Sequence, residues 1–194
     1  MSTPLLSAEN LVCHRGGRAL FAPQDIKLEP GALIILRGPN GSGKTTLLRA
    51  LAGLLPAEGK ITRAAQPCYV GHRGALHDEL NLHDHLSFWK SLCRQPRKVA
   101  FQNVLRAMAL GNMQRRRAGT LSAGQRQRLS LCRLLLEDSL LWLLDEPSAA
   151  LDVQGMAYLS ALISAQRKRG GGAVIASHGG SFENASTLNL GAAR

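Results

Sequence analysis

Two short stretches of the sequence contain residues suited to phosphate chemistry. The first, "GPNGSGKTT" at residues 38–46, fits the pattern G-x-x-x-x-G-K-[ST] without a mismatch. Its glycines let consecutive backbone N–H groups point at phosphate oxygens, Lys44 would reach the β- and γ-phosphates, and Thr45 would ligate magnesium. The pattern therefore predicts a site for a nucleotide and Mg²⁺. Its predicted residues are Gly38, Pro39, Asn40, Gly41, Ser42, Gly43, Lys44, Thr45 and Thr46.

The second stretch, "LLWLLDEP" at residues 140–147, places two adjacent acids at the end of an apolar run. In a parallel sheet, ligands lie beyond the carboxyl ends of the strands, so Asp145 would lie beside the phosphate loop. There it would hold the magnesium together with Thr45, directly or through water. Glu146 would orient and polarise the water that attacks the γ-phosphate. The predicted catalytic residues so far are Lys44 and Glu146.

The elements around these stretches must form a sheet that brings them together. A short β-rich run precedes the phosphate loop, a helical pattern follows it, and strands and helices then alternate along the chain. This alternation predicts an α/β fold with a largely parallel sheet. Strands are predicted at 32–37, 67–71, 140–144, 173–176 and 187–190, the last as an edge strand, and helices at 44–55, 124–137 and 151–169.

The middle of the chain, about residues 81–118, has helical spacing of its apolar residues and contains Pro96, which predicts two helices. These helices would form a lobe appended to the sheet. A length of 194 residues is typical of one domain, and the sequence has no internal repeat.

The composition indicates the cellular compartment of the protein but does not identify its binding partner. The four cysteines lie far apart with no CxxC pair, which favours reduced residues in a cytosolic protein. The sequence has no secretory signal pattern and no run of eighteen apolar residues, so we expect a soluble chain. The net charge of +11 suits either nucleic acid or an anionic membrane face, and aromatic residues, at 4%, offer little to stack on unpaired bases.

The stretch "LSAGQ" at 121–125, followed by "RQRLSLCRLLL" and "LLWLLDEP", resembles the signature and Walker B segments of ATP-binding cassette (ABC) ATPases. This resemblance implies a P-loop NTPase core with a mainly parallel sheet, an N-terminal antiparallel β portion and a short α-helical subdomain. It also implies a single domain over 1–194, with the helical subdomain at about 75–135. In that family the signature of one subunit closes on ATP held by the other, so one P-loop and one signature imply a homodimer or a closely related partner. The signature residues are Leu121, Ser122, Ala123, Gly124 and Gln125.

Further family segments follow in order along the chain. "SAALD" resembles the D-loop and ends at Asp152, and "VIASHGG" places His178 where the family's switch histidine contacts the γ-phosphate. Two positions depart from the family pattern. Arg15, with His14 beside it, replaces the aromatic residue that stacks on adenine, and His72 replaces the glutamine that coordinates magnesium.

The "GH" at residues 71–72, the L-x-x-L spacing after it, the short chain and the reduced helical lobe resemble one subfamily, the ATP-binding subunits of cytochrome c maturation haem export complexes. The resemblance implies ATP hydrolysis coupled to transport, on the cytoplasmic face of a bacterial inner membrane, with peripheral membrane contact. The implied partners are a second copy of the chain and multi-spanning membrane subunits of that complex. Whether hydrolysis moves haem itself or only releases a haem chaperone is left open.

Two other functions compete with this one. A membrane-free cassette ATPase acting on nucleic acid or a protein assembly would account for the charge, but such proteins usually carry long insertions or tandem cassettes, so no nucleic acid is expected. A degenerate cassette that binds ATP only as a structural switch conflicts with the intact catalytic positions. The histidines at 72, 77, 83 and 85 do not form a metal pattern, and we interpret this stretch as a solvated loop and a surface for a membrane subunit.

Overall fold

The structure is a computed structural model that describes residues 3–72, 75–177 and 182–191. Within these residues, the strands are β1 Leu6–Val12, β2 His14–Arg15, β3 Arg18–Ala19, β4 Gln24–Leu28, β5 Leu33–Arg37, β6 Glu58–Arg63, β7 Pro67–Val70, β8 Leu141–Asp145, β9 Gly172–Ala176 and β10 Ser186–Asn189. The α-helices are α1 Lys44–Leu51, α2 Leu82–Leu92, α3 Phe101–Ala107, α4 Ala123–Leu131, α5 Arg133–Leu136 and α6 Val153–Lys168, and short 3₁₀ turns occupy Gly111–Met113 and Ala118–Thr120.

Five strands form a parallel sheet in the order β10-β5-β9-β8-β7. Every pairing in it is parallel, and β8 and β9 are buried along their whole length, which explains their continuous apolar sequences. Because all the strands point the same way, the loop after β5 and the acid that ends β8 meet at one edge of the sheet. The predicted parallel sheet, with β10 at its edge, is confirmed.

An antiparallel sheet of β4, β1 and β6 covers one face of the parallel sheet, and β2 and β3 form a separate hairpin. Helix α1 packs in the core between the two sheets, where Leu47 and Leu48 share one cluster with Leu6 of β1 and Leu143 of β8. Each fully buried leucine contributes about 1.5–3 kcal/mol, so this core fixes α1 and the loop before it against the sheet. The predicted fold class, including its N-terminal antiparallel portion, is confirmed.

The opposite face of the parallel sheet packs against helices that lie between β7 and β8 in the chain. Leu86 and Trp89 of α2 share a second cluster with Trp142 and Leu144, which alternate along β8 with the residues of the first cluster. Asn81 caps α2 by accepting a hydrogen bond from the Asp84 N–H at 3.0 Å. Helix α2 ends before Pro96 and α3 begins after it, so the predicted division into two helices is present.

Two helices differ from their predicted extent. The helix predicted at 44–55 ends at Leu51, because Gly53 adopts a left-handed φ of 77° and turns the chain before Pro56 is reached. The single helix predicted at 124–137 is two helices, α4 and α5, which meet at Cys132. There the Cys132 N–H bonds the carbonyl three residues back, Leu129, so the regular α-helical pattern is interrupted.

The longest described helix, α6, has 16 residues. Its side chains at Leu159 and Ile163 are buried, while others face solvent, so it packs on the sheet. No helix among the described residues is both long and apolar enough to cross a membrane.

Candidate nucleotide-binding and catalytic site

The loop between β5 and α1 can follow its path only because glycines occupy two of its positions. Gly38 and Gly43 have φ values of 153° and 94°, which other residues rarely adopt. A Cβ at Gly38 would lie 2.5 Å from the carbonyl oxygen of Leu190, and one at Gly43 would lie 2.7 Å from the ring of Phe21. The tight loop seen in the sequence pattern is thus required by its packing against the residue that follows β10 and against the segment before β4.

Several features of this loop suit an anion. Helix α1 begins at Lys44, has no acidic residue in its first turn, and is capped by no side chain of the described residues. Its first N–H groups and the positive end of its dipole therefore face the loop. The Ser42 hydroxyl is buried and has no hydrogen-bond partner among the described residues, and the Lys44 Nζ donates to the carbonyls of Gly38 at 2.8 Å and Pro39 at 3.0 Å. The oxygens of a bound phosphate would accept hydrogen bonds from both the Ser42 hydroxyl and the Lys44 Nζ.

Thr45 and Asp145 contact each other across the sheet edge. The Thr45 hydroxyl donates to the Asp145 carboxylate, with Oγ1 2.9 Å from Oδ2 and 3.1 Å from Oδ1. Asp145 is only 3% exposed, at the end of β8. A hydroxyl and a carboxylate are oxygen ligands of the kind that Mg²⁺ prefers, so these residues fit that ion.

Glu146 follows in an unusual backbone conformation. Its φ is 52°, and its N–H donates to the carbonyl of Ala176 on β9 at 3.0 Å. The left-handed turn ends the strand abruptly, so the Asp145 and Glu146 side chains both reach the same cleft. Such strained residues occur often at functional sites.

The cleft has a volume of about 1240 Å³, and most of the predicted site residues line it. His72 lies in it, exposed, and both His14 and Arg15 line it at the hairpin end. The predicted residues that line it are His14, Arg15, Asn40, Gly41, Gly43, Lys44, Thr45, Thr46, His72, Asp145 and Glu146. His178, predicted as the switch residue, lies outside the described residues.

The signature segment lies elsewhere: none of residues 121–125 is among the described residues that line this cleft. Ser122 instead caps α4 in a capping box, accepting from the Gln125 N–H at 3.3 Å while the Gln125 side chain accepts from the Ser122 N–H at 3.0 Å. Asp152 likewise caps α6, its Oδ1 accepting from the Gly155 N–H at 2.7 Å. Both segments thus have local structural roles at helix starts.

Three of the residues that line the cleft with polar side chains were not predicted: Arg49, Tyr69 and Arg133. The Arg49 Nε donates to the Tyr69 hydroxyl at 3.5 Å, and burial raises the pKa of that hydroxyl, so Tyr69 stays neutral at ordinary pH. Arg49 follows Thr45 by four residues on α1, a spacing that could have identified it. Arg133 lies 5.6 Å from the centre of the Trp89 ring, a contact without a sequence signal.

The interpretation of the histidine-rich stretch as a solvated loop is wrong for His85. This residue is 1% exposed, and its Nε2 accepts from the His77 N–H at 3.0 Å. Its Nδ1 lies 2.9 Å from the carbonyl oxygen of Asn81, which requires the proton on Nδ1. The helical position of His85, on the buried face of α2, gives the ring a structural role.

The fold and the cleft define a P-loop ATP-binding protein of the ABC class. A family model described as ABC transporter matches residues 21–149, more than half of the chain. The ATP binding subunit of an ABC transporter has a similar structure, with a TM-score of 0.78 and 21% identity over 90% of this chain and 79% of that one, which shows the fold alone.

Two curated relatives carry the name "Cytochrome c biogenesis ATP-binding export protein CcmA". The protein of Hyphomonas neptunium is 44% identical over 177 residues, which cover 91% of this chain and 90% of that protein. The protein of Nitrobacter hamburgensis is 40% identical over 186 residues, which cover 89% and 91%. The chain therefore belongs to the ABC transporter family, within its CcmA group. Membership makes it an ATP-binding protein and an ATP hydrolase coupled to transport, and implies a dimer and membrane partners.

Proposed function

We propose that this chain is the ATP-hydrolysing subunit of a bacterial inner-membrane complex that exports haem for the biogenesis of c-type cytochromes. It works at the cytoplasmic face, as a homodimer beneath multi-spanning subunits of the cytochrome c maturation complex. The observation that carries the proposal is the contact of Thr45 with Asp145 beneath an intact phosphate loop, in a chain whose relatives are named as cytochrome c biogenesis export proteins.

In this proposal the cleft holds ATP by its phosphates. The loop N–H groups, the start of α1 and Lys44 bind the β- and γ-phosphates, and the Ser42 hydroxyl gains the partner it lacks among the described residues. Thr45 and Asp145 hold Mg²⁺, and bound magnesium neutralises part of the phosphate charge. At the other end of the cleft, the Arg15 plane or the His14 ring stacks on adenine.

Glu146 acts on the attacking water. Its backbone is fixed by β9, and its side chain lines the same cleft as that of Asp145. It orients the water and accepts its proton as the bond to the γ-phosphorus forms. His72, which also lines the cleft, takes the place of the family's glutamine, and His178 would contact the γ-phosphate.

The signature segment of each chain serves the ATP of the other chain. Residues 121–125 lie outside their own cleft, while Ser122 and Gly124 stand at the start of α4, where backbone N–H groups can meet a second γ-phosphate. Asp152 belongs to the same dimer face as the D-loop residue. We also propose that the helical subdomain spans about residues 75–135 of a single domain over 1–194.

A membrane-free cassette ATPase is not favoured, because the relatives are export proteins. The test is affinity purification of the tagged full-length chain from detergent-solubilised membranes of a bacterium that makes c-type cytochromes. Mass spectrometry is expected to identify multi-spanning cytochrome c maturation subunits. Recovery of nucleic acid or soluble proteins alone would contradict the transport function.

A second measurement tests whether ATP hydrolysis in the cleft drives the biogenesis of c-type cytochromes. In a strain that lacks the chain, the wild-type protein is expected to restore the haem-staining bands of c-type cytochromes, and Glu146→Gln is not. Glu9→Gln, an exposed carboxylate on β1, serves as the matched control and should restore them fully. Restoration by Glu146→Gln would show that hydrolysis in this cleft does not drive the process.

A further inference from the structure

Gln127 joins the middle of α4 to the backbone that follows the Asp145–Glu146 pair. Its side chain is 8% exposed, and its Nε2 donates to the carbonyl oxygen of Pro147 at 3.0 Å and, more weakly, towards that of Glu146 at 3.5 Å. A buried primary amide that directs its donor at two consecutive carbonyls fixes the peptide between them.

The backbone at Glu146 needs contacts that hold it in place. Glu146 has a φ of 52°, a conformation that costs energy for any residue with a side chain and persists only where the surroundings determine it. Its N–H donates to Ala176 on β9 and its carbonyl accepts from the Ala149 N–H at 3.1 Å. Gln127 adds a contact from α4, so the backbone of Glu146 is positioned from the sheet, from its own turn and from the signature helix.

The first turn of α4 meets the same segment a second time. A Cβ at Gly124 would lie 2.9 Å from the carbonyl oxygen of Ala150, which itself has a left-handed φ of 61°. Helix α4 therefore touches residues 146–150 at two points, through a close backbone approach and through the Gln127 amide. A displacement of α4 must either carry this segment along or break the Gln127 contacts.

We propose that Gln127 is a positioning residue that sets the Glu146 carboxylate through the backbone and transmits movements of the signature turn to it. The inference rests on the proposed function, in which Glu146 acts on this chain's ATP and residues 121–125 act on the ATP of a second copy. Through Gln127, occupation of the partner's ATP site by the signature turn alters the alignment of Glu146 in the chain's own site. The two ATP sites are thereby coupled.

The test compares full-length variants in the complex with their membrane partners, measuring ATP hydrolysis against ATP concentration. Gln127→Leu keeps the volume and removes the donor, and we expect kcat to fall about tenfold while KM stays within about twofold, the pattern of a lost transition-state interaction. The Hill coefficient for ATP is expected to fall towards unity. Gln127→Met, which also lacks the donor and adds no buried charge, should behave in the same way and serves if the leucine variant does not fold.

Gln102→Leu is the matched control. Gln102 Nε2 also donates to a backbone carbonyl, that of Gly111 at 3.0 Å, but within the helical region and without contact to residues 146–150. Its loss should leave kcat and the Hill coefficient unchanged.

Three results would overturn the inference. These are a wild-type Hill coefficient of unity, Gln127 variants with wild-type kcat and cooperativity, or a fall in kcat matched by a proportional rise in KM. The last would assign Gln127 a purely structural role in forming the cleft. Failure of the proposed function is recognised separately, since Glu146→Gln would then hydrolyse ATP at the wild-type rate whatever the Gln127 variants do.

Discussion

The Thr45 hydroxyl donates to the carboxylate of Asp145, 2.9 Å away, although the two residues are 100 positions apart in the chain. One stands at the start of α1 and the other at the end of β8, and the parallel sheet brings both to the same edge. This contact holds two oxygen donors side by side at the phosphate loop. Thr45 and Asp145 would hold Mg²⁺ there, and the ion would supply positive charge to the phosphates.

We expect Asp145→Asn to abolish the dependence of hydrolysis on magnesium. The charge of the carboxylate is lost but its size is kept, so ATP binding in the absence of metal should be little changed. Because metal-ion stabilisation of phosphoryl transfer is worth several kcal/mol, kcat should fall about 100-fold or more. The measurement is ATP hydrolysis titrated with magnesium chloride, with the exposed Asp84→Asn as control. A normal magnesium response in Asp145→Asn would refute the assignment.

Lys44→Ala is expected to remove ATP binding. The Nζ is buried, and its carbonyl partners at Gly38 and Pro39 place it at the phosphate loop. Hydrogen bonds to charged groups contribute about 1.5–3 kcal/mol each, so losing those that Lys44 would donate to the β- and γ-phosphates weakens ATP affinity by about 100-fold or more. Fluorescent ATP binding measures this, and Lys60→Ala, exposed on β6, should bind normally. Retained affinity in Lys44→Ala would place the phosphates elsewhere.

Glu146→Gln is expected to keep ATP binding and to trap an ATP-bound dimer. The amide preserves the shape of the side chain but cannot accept the proton of the attacking water, so hydrolysis stalls after the two chains have closed. Size-exclusion chromatography with light scattering should show the dimer with ATP and the monomer without it. Unchanged turnover would remove Glu146 from its catalytic role, and a monomer in saturating ATP would contradict the proposed sandwich.

Much of the nucleotide cleft could be predicted from the sequence because local patterns determine it. The glycines at 38 and 43 predict the tight loop, and the buried apolar run of β8 predicts a strand. Parallel strands then bring their carboxyl ends to the same edge of the sheet. Arg133 and Gln127 could not be found in this way. Arg133 contacts Trp89, and Gln127 contacts the 146–147 peptide, because of how α4 and α5 pack on the sheet. This packing produces no periodic pattern in the sequence.

Helix ends were the other weakness. The apolar spacing continues to Leu55, yet α1 stops at Leu51: Gly53 turns the chain, and Leu54 and Leu55 beyond it are exposed rather than buried in the core. Burial, rather than periodicity, decides where such a helix ends. His85 is the reverse case, a polar residue in a polar stretch that the turn of α2 carries into the interior.

His72→Ala is expected to change coupling to the membrane partners more than nucleotide binding. His72 is exposed and lines the cleft without belonging to the phosphate loop, so ATP keeps its contacts with that loop when the imidazole is lost. ATP affinity should stay within about threefold of wild type, below the 1.4 kcal/mol of a tenfold change. Stimulation of hydrolysis by the membrane subunits should fall, with His83→Ala as an exposed control. A collapse of affinity would make His72 a primary nucleotide contact.

The loop after His72 is joined to the signature helix by an ion pair, and we expect this pair to show coupling that salt weakens. Arg126 on α4 lies 2.6 Å from Asp78 Oδ1, and it also donates to the carbonyl of Ala118 at 3.0 Å. The Asp78 side chain is 64% exposed, so the pair itself is worth only about 0.2–1 kcal/mol. For a chain of this size that lowers Tm by up to about 4 °C in Asp78→Asn.

Arg126→Met should lower Tm further than Asp78→Asn does, because it also removes the side-chain donor to the Ala118 carbonyl, which then accepts, among the described residues, only from the Leu121 N–H at 3.1 Å. A double-mutant cycle with Asp78→Asn, run by thermal unfolding in low and in 1 M salt, separates the two contributions. The coupling energy should be measurable in low salt and smaller in high salt, while the extra loss in Arg126→Met should persist. Strictly additive effects in low salt would show that the ion pair does not hold the loop to α4.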